Sequence, residues 1–178
     1  MDVKKIIEQR NNHYLPNLSI DIVIVGYEDN ALKCLLLKIG EKWILPGGFI
    51  GTDESVEESA QIILKQRTGI ENAYLRFLSV FGDKKRQFKD VMKEFFVKNE
   101  MEWREDYWFN NRFVSLAYYS LVNIDKTHPS VRLFDEAFAW FDFDELPEMW
   151  MDHKSMVNTA RQRLKEDAHY EQMTYNLL

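Results

Sequence analysis

The chain alternates between dense apolar runs and shorter polar segments, and this pattern predicts a mixture of strands and helices. Apolar runs predict five strands, at residues 18–27, 32–39, 74–81, 112–122 and 137–143. The first of these runs is dense in β-branched residues, which favour a central strand. Apolar residues at helical spacing predict two helices, at about residues 55–68 and 152–168. Because these elements alternate without a strict βαβ rhythm, we expect an α+β fold in which a mixed sheet lies between helices, an α/β/α sandwich.

The helix predicted at residues 55–68 has recognisable signals at both ends. Ser55 followed by Glu58 fits a capping box, and Gly69 fits the left-handed residue that ends many helices. Acidic residues favour the positive end of the helix dipole, so we interpret the cluster at the helix start as helix initiation rather than a metal site. The cluster comprises Asp53, Glu54, Glu57 and Glu58.

A loop with two glycines precedes this helix. Pro46 lacks a backbone donor, and Gly47 and Gly48 allow another chain or a ligand to approach the backbone closely. The alternative role of the glycines is a tight turn that needs positive φ, and both roles can hold together. We therefore expect a rigid loop at residues 46–48.

A third helix signal lies within residues 84–110. Five apolar residues recur at helical spacing and predict an amphipathic helix: Phe88, Val91, Met92, Phe95 and Phe96. Basic residues surround its start and outer face, where a solvated surface is expected: Lys84, Lys85, Arg86, Lys89 and Lys93.

Three roles remain open for this amphipathic helix. It can pack on the domain as additional core, which we favour, or its wide aromatic stripe can form a dimer interface. It can also cover a ligand pocket, with Trp103, Tyr107 or Trp108 stacking on a base or a sugar.

The segment from Trp43 to Ile70 carries a recognisable motif. Residues 43–49 read Trp-Ile-Leu-Pro-Gly-Gly-Phe and lead through Glu54 into the helix that ends at Gly69. This layout resembles the Nudix box, G-x5-E-x7-R-E-U-x-E-E-x-G-U, in which U is a bulky apolar residue. The resemblance extends over about residues 18–168 and implies the Nudix-type α/β/α sandwich. The amphipathic helix within residues 84–110 does not fit a minimal domain of this type, and we interpret it as an insertion.

The sequence differs from the Nudix box at the positions that bind metal in this family. Ile62 stands in the position of the motif's arginine, and Ile63, Gln66 and Arg67 stand in the positions of its helix carboxylates. Carboxylates at i, i+3 and i+4 share one helix face and hold Mg²⁺. An alkyl group, an amide and a guanidinium do not, so we expect a degenerate box with no metal, no cofactor and no catalytic residues.

Two further expectations follow from these substitutions. Ile63 falls on the apolar stripe of the helix and is expected to face the core. In active relatives Glu54 pairs with the motif's arginine, which is Ile62 here. We therefore expect Glu54 to be solvated or bonded to loop amides.

The resemblance is closer to one branch of the family. Residues 35–38, 45–49, 112–119 and 151–153 resemble the Nudix-related transcriptional regulators of bacterial NAD and sugar metabolism. In that branch an often degenerate Nudix domain binds a small effector, such as ADP-ribose or a pentose, and a C-terminal winged-helix domain binds DNA as a dimer. The resemblance implies an inactive effector-sensing domain of such a regulator, acting as a homodimer.

Two other functions remain as alternatives. The chain could be a Nudix hydrolase that cleaves a nucleoside-diphosphate derivative through unusual metal ligands. It could also be a non-enzymatic interaction module that uses the helix of residues 88–96.

The resemblance carries over a small set of ligand-binding residues. Gly47, Gly48 and Phe49 are expected to line the effector pocket. Arg112 occupies the position of a pocket arginine, with a surface charge at a strand end as the alternative. Lys38 is expected on the opposite side of the pocket, and His153 is expected to cap or pack.

The predicted domain organisation is an N-terminal arm at residues 1–17, the Nudix-like domain at 18–168 and a linker at 169–178. The linker would lead toward a C-terminal winged-helix domain absent from this sequence, through which alone the protein would contact DNA. An apolar tail with nothing evident to cover it favours truncation, and its residues are Met173, Tyr175, Leu177 and Leu178.

Charge and cysteine content limit the cellular compartment and the binding partners that we expect for this protein. The chain of 178 residues has a net charge of −6, which disfavours a grip on nucleic acid by these residues alone. Its single cysteine, Cys34, lies in an apolar run and fits a reducing compartment. No segment reaches transmembrane length, so we expect a cytoplasmic protein with no membrane partner.

Overall fold

The long first strand organises the sheet. In the computed structural model, which describes residues 13–130 and 135–177, β1 (Tyr14–Glu28) pairs with β2 and β4 in antiparallel fashion and with β6 in parallel. Residues 20–25 of β1 are fully or almost fully buried. A strand buried on both faces favours the β-branched run that the sequence provides there.

Within the described ranges, seven strands form one mixed sheet in the order β3-β2-β1-β6-β5, with β4 paired to β1 and β7 paired to β2. The six strands besides β1 are β2 (Ala31–Ile39), β3 (Lys42–Ile44), β4 (Gly47–Gly51), β5 (Arg76–Phe81), β6 (Val114–Val122) and β7 (Ala137–Asp142). The mixed sheet is confirmed, and all five predicted strands are present with shifted ends. The predicted loop at residues 46–48 is wrong, because Gly47 and Gly48 begin strand β4.

Two helices cover the two faces of this sheet. The side chains of Ile20, Ile22 and Ile24 pack against helix α1 (Val56–Thr68). Those of Val23 and Val25 pack with Met156, Val157 and Ala160, which belong to the long C-terminal helix, His153–Leu177. Successive side chains of a strand point to opposite faces, so β1 supplies both cores. The α/β/α sandwich is confirmed.

Helix α1 begins and ends as its sequence predicts. The hydroxyl of Ser55 accepts from the backbone N–H of Glu58, and the carboxylate of Glu58 accepts from the backbone N–H of Ser55. Gly69 adopts φ 76° and donates its N–H to the carbonyl of Lys65. The capping box and the C-terminal stop are therefore confirmed.

The amphipathic segment forms helix α2 (Lys89–Lys98), which packs on the domain. Its buried Phe96 belongs to an aromatic cluster with Trp108, Phe109 and Phe113, and Phe88 and Met92 pack against that cluster. Phe49 of β4 contacts the same rings. The favoured interpretation, additional core, is therefore confirmed.

The basic residues before α2 do not all lie on a solvated face. The side chain of Arg86 is only 1% exposed. Its predicted position on the outer surface is wrong, because two carboxylates hold the guanidinium inside the domain.

The helix that begins at His153 is here called α3, and it is longer than predicted. It continues without a break through residues 169–177, which the sequence assigned to a linker.

At the N-terminal end of the domain, β1 begins at Tyr14, so residues 14–17 of the predicted arm belong to a strand. Residues 1–12 and the side chains of the apolar tail lie outside the description. No helix of the described chain is long and apolar enough to span a membrane.

Candidate functional site

A cavity of about 150 Å³ lies where β1, β4 and α1 meet α2 and the start of α3. Its walls are mainly apolar and aromatic, and its polar groups come from widely separated parts of the chain. The aromatic side chains are Tyr14, Phe49, Phe88, Phe109 and Trp150, and the charged or polar ones include Ser19, Asp21, Glu54, Gln66, Arg67 and His153. A concave apolar site with a few convergent polar groups is typical of small-molecule binding.

The structure brings only part of the predicted ligand set to this cavity. Gly47, Gly48 and Phe49 line it. Neither Lys38 nor Arg112, both within the described ranges, lines it. Lys38 lies in β2 between β3 and β7, and the exposed Arg112 donates to the carbonyl of Gly82 at 2.6 Å. The placement of Arg112 matches the alternative of a surface charge, and its role in ligand binding stays a prediction.

The two glycines of β4 allow close packing rather than a tight turn. A Cβ on Gly47 would lie 2.4 Å from Oδ1 of Asp21, and one on Gly48 would lie 2.9 Å from Cγ1 of Ile63. The positive-φ glycines of the described chain are Gly40 and Gly69, so the turn interpretation of residues 47 and 48 is wrong. Close approach of neighbouring groups is the role that the structure supports.

The face of α1 that carries the metal-ligand positions of the box contributes to packing and to the cavity wall. Ile63 is buried against Gly48, as its position on the apolar stripe predicts. Ile62 remains 37% exposed and forms part of the cavity wall. Gln66 is half-buried beside it.

Arg67 occupies the most informative position of this face. Its Nε donates to Oδ2 of Asp135 at 3.0 Å, and its Nη2 donates to Oδ1 of the same carboxylate. Nη1 donates to the backbone carbonyl of Gly47. Burial raises the pKa of Asp135, and the guanidinium of Arg67 opposes that shift. Arg67 therefore ties α1 to β4 and to the segment just before β7.

The residues at the metal-ligand positions of the box do not fit a magnesium ion. Ile63 offers a hydrocarbon and Arg67 offers a cation whose donors face Asp135 and Gly47. Mg²⁺ requires oxygen ligands in near-octahedral geometry. Among the residues that the structure describes, no group of three His, Cys, Asp or Glu side chains is placed to hold a metal ion.

Glu54 differs from its expected surroundings. Its carboxylate accepts from the hydroxyl of Ser59 on α1 at 2.6 Å, and it packs directly over Gly51. Glu54 is half-buried, and the hydrogen-bond partner of its carboxylate is a hydroxyl of α1 rather than a loop amide. The same hydroxyl accepts from the backbone N–H of Gly51.

The floor of the cavity rests on a buried charge network. Oδ2 of Asp21 accepts from Nη2 of Arg86 at 2.5 Å and from the hydroxyl of Ser115 at 2.6 Å. Nη1 of Arg86 donates to Asp152 at 2.8 Å. One buried guanidinium thus faces two carboxylates, so the network carries a net negative charge beneath the cavity.

His153 completes the floor. Its Nδ1 accepts from the backbone N–H of Leu45 at 3.0 Å, so the proton of the neutral ring resides on Nε2. Burial lowers the pKa of His153, and the nearby Asp21 opposes that shift. Nε2 is buried without a hydrogen-bond partner and lies 3.6 Å from Oδ1 of Asp21. The expected packing role of His153 is present, since the residue is 2% exposed.

Sequence reasoning did not assign Asp21, Asp135 or Arg86 to this site, although Asp21 and Asp135 left a signal. Asp21 interrupts a strand that is otherwise apolar, and an ionisable group in such a run indicates a buried partner. Asp135 lies just before an apolar strand. Arg86 carried no comparable signal, because its neighbours are lysines that suggest a solvated surface.

The fold and the box segment together define a Nudix-type domain. The chain belongs to the NUDIX domain family, whose family model matches residues 17–160. Among curated proteins it is 21% identical over 179 residues to the ADPR responsive transcriptional repressor NtrR of Acinetobacter baylyi. That alignment covers 96% of this chain and 63% of the relative, so the chain spans less than two thirds of that relative's length.

Solved structures show the same fold. The NUDIX domain of Shewanella oneidensis NrtR complexed with ADP ribose is 23% identical, with a TM-score of 0.63 over 84% of this chain and 89% of that chain. Shewanella oneidensis NrtR complexed with a 27mer DNA is 24% identical, with a TM-score of 0.58 over 85% of this chain and 63% of that one.

Proposed function

We propose that this chain is the effector-binding domain of a Nudix-type transcriptional regulator and that it binds its ligand without hydrolysing it. The observation that carries the proposal is the position of Arg67. A cation stands where the motif places a metal-ligating carboxylate, and Asp135 and Gly47 hold it there. The cavity beside it keeps the form of a small-molecule site.

The comparisons support the regulatory part of the proposal. The curated relative is named an ADPR-responsive repressor, and the Shewanella protein is described in complexes with ADP ribose and with DNA. The chain covers 63% of the DNA-bound relative. We infer that the DNA-binding function resides in a part of the protein beyond this domain, and that a sugar or an ADP-ribose-like compound is the effector.

Helix α3 offers a route by which the cavity can influence a distant domain. Trp150 and His153 line the cavity at the start of α3. The helix has 25 residues and is therefore roughly 37 Å long. A ligand that contacts these two residues would favour one position of α3, and by its differential affinity it would shift the population of two domain arrangements in a homodimer.

Isothermal titration calorimetry of the purified protein against ADP-ribose and a panel of neutral sugars tests the proposal. We expect at least one compound to bind with a stoichiometry near one and to be recovered unchanged. Ile62→Trp adds bulk at the cavity wall and should abolish this binding. Lys65→Trp is the matched control on an exposed position of the same helix and should leave it intact.

Two outcomes would overturn the proposal. One is the absence of binding by every compound of the panel. The other is binding that Ile62→Trp and Lys65→Trp weaken equally, because the ligand would then lie elsewhere or the loss would reflect general damage to α1.

A further inference from the structure

We propose that His153 is a proton-operated latch between the start of α3 and the segment that joins β3 to β4. The neutral ring holds the backbone of Leu45, whereas the protonated ring releases Leu45 and pairs with the carboxylate of Asp21 instead. This inference goes beyond the proposed function, because it concerns how the domain responds to acid and involves no ligand.

The first part of the latch is a contact that exists only while the ring is neutral. Nδ1 of His153 accepts from the backbone N–H of Leu45 at 3.0 Å. A protonated imidazole carries a hydrogen on both nitrogens, so Nδ1 could no longer accept, and two donors would face each other. Both residues are buried, which leaves no bulk water to replace the lost partner. Protonation at Nδ1 must therefore separate the ring from Leu45.

The second part of the latch lies at the other ring nitrogen. Oδ1 of Asp21 is 3.6 Å from Nε2 of His153, and within the described ranges Nε2 has no hydrogen-bond partner. The other oxygen of the carboxylate, Oδ2, is bonded to Arg86 and Ser115. Hydrogen bonds between an imidazolium and a carboxylate are shorter and stronger than those of a neutral ring. A small movement of the charged ring toward Asp21 would therefore form an ion pair.

The charges around the ring can accommodate one additional proton. The charged groups that act on the ring are Asp21 of β1, Arg67 of α1, Arg86 before α2 and the adjacent Asp152. Each guanidinium is already paired with a carboxylate, and Arg86 is shared by two. The group around Arg86 therefore has an excess of negative charge that an imidazolium would neutralise.

Burial sets the pH range of the exchange. It lowers the pKa of His153 below the ordinary 6.5, and Asp21 opposes that shift. The latch is therefore closed near neutral pH and opens only in more acidic conditions.

Opening the latch would change the cavity wall together with the first turn of α3. Leu45, Trp150 and His153 all line the cavity. Trp150 has an anchor of its own, because its backbone N–H donates to the carbonyl of Trp43 at 3.0 Å. The chain before α3 would therefore stay in place while the ring of His153 moves, so the change is local.

An acid titration of the 15N-labelled full chain, followed by nuclear magnetic resonance, tests the inference. At about pH 7.5 we expect the ring of His153 to carry its hydrogen on Nε2 alone. On acidification both ring nitrogens should become protonated, with a midpoint below 6.5. The backbone amide of Leu45 should change its chemical shift with the same midpoint, because its acceptor is lost in that step.

Two matched variants test the charges that act on the ring. Asp152→Asn removes one carboxylate near His153, so the midpoint of the ring should fall by roughly half a pH unit. Glu148→Gln makes the same change of charge in the segment before α3, where the side chain is 81% exposed and paired with Lys42. This control should leave the midpoint unchanged.

A third variant removes the titrating group. In His153→Asn the amide oxygen can replace Nδ1 as the acceptor for Leu45 at every pH. The amide of Leu45 should therefore keep its chemical shift through the acid range in which it moves in the parent protein.

Three results would overturn the inference. One is a ring that becomes protonated on both nitrogens while the amide of Leu45 is unchanged. Another is an amide of Leu45 that titrates in His153→Asn as it does in the parent protein. The third is global unfolding before the ring is protonated, because a latch must open within the folded domain. If His153→Asn fails to fold, equal midpoints in Asp152→Asn and Glu148→Gln would overturn the inference instead.

Discussion

The guanidinium of Arg67 and the carboxylate of Asp135, 68 residues apart in sequence, form a buried two-point ion pair. The same guanidinium donates to the carbonyl of Gly47. Arg67 occupies a position at which the Nudix motif has a metal-ligating carboxylate, so a structural bridge stands where the family's chemistry would require a ligand. This relationship makes the proposed loss of hydrolysis a consequence of packing and charge.

Removing one member of this ion pair should destabilise the folded protein. We expect Arg67→Met to lower the free energy of unfolding by about 3 to 5 kcal/mol, because Asp135 would remain buried without its partner. Urea unfolding followed by circular dichroism measures the change. The double variant Arg67→Met/Asp135→Leu should recover most of the loss, and a single-variant loss below about 1 kcal/mol would contradict the buried pair.

Gly48 and Ile63 should be energetically coupled. A Cβ on Gly48 would lie 2.9 Å from Cγ1 of Ile63, so Gly48→Ala should destabilise the protein by about 1 to 3 kcal/mol through overpacking. In a double-mutant cycle, Gly48→Ala should cost much less in an Ile63→Ala background. If the two substitutions have additive effects on the free energy of unfolding in urea, the methyl group added at position 48 does not clash with Ile63.

The two carboxylates that bind the guanidinium of Arg86 should contribute unequally to the stability of the protein. The side chain of Asp21 is 5% exposed and that of Asp152 is 22% exposed, so water can compensate only the second. We expect Asp21→Asn to cost about 1.5 to 3 kcal/mol and Asp152→Asn less than half as much. Thermal and urea unfolding of the matched pair provide the comparison, and equal losses would argue against the deeper burial of Asp21.

His153 should impose an acid limit on stability. Burial lowers its pKa in the folded protein below the ordinary 6.5, so the unfolded chain binds more protons than the folded one when the pH falls below 6.5. Stability from this group is therefore complete above about pH 6.5 and is lost toward lower pH, by at most about 1.4 kcal/mol per pH unit.

His153→Asn removes this titration. The stability of the variant relative to the parent protein should therefore rise as the pH falls from 7.5 to 5.5, and urea midpoints at several pH values measure it. A relative stability that stays constant or falls over this range would mean that the ring is not held neutral.

Local sequence patterns could predict most of the fold. The long β-branched run of β1 and the capping signals of α1 act through nearby residues, so their elements are readable from the chain. Strands β3 and β4 were not predicted, because they are short and depend on pairing with β2 and β1. The glycines at the start of β4 have poor strand propensity by themselves, and only the tertiary pairing makes them a strand.

The site was less predictable than the fold. The box positions of Ile63 and Arg67 could be read directly, because the motif fixes their register. Their partners could not, since Asp135 and Gly47 reach Arg67 only through the folded arrangement of the sheet. The donor on His153 also depends on a tertiary contact, namely the backbone of Leu45.

The most direct test of the central claim is a phosphorus NMR time course of ADP-ribose with the protein and Mg²⁺. We expect the diphosphate signals to persist unchanged at the rate of the protein-free blank, because the α1 face that would hold the metal carries Ile63 and the paired Arg67. Protein-dependent growth of phosphate-monoester signals, abolished by Glu54→Gln, would contradict the claim and establish a hydrolase.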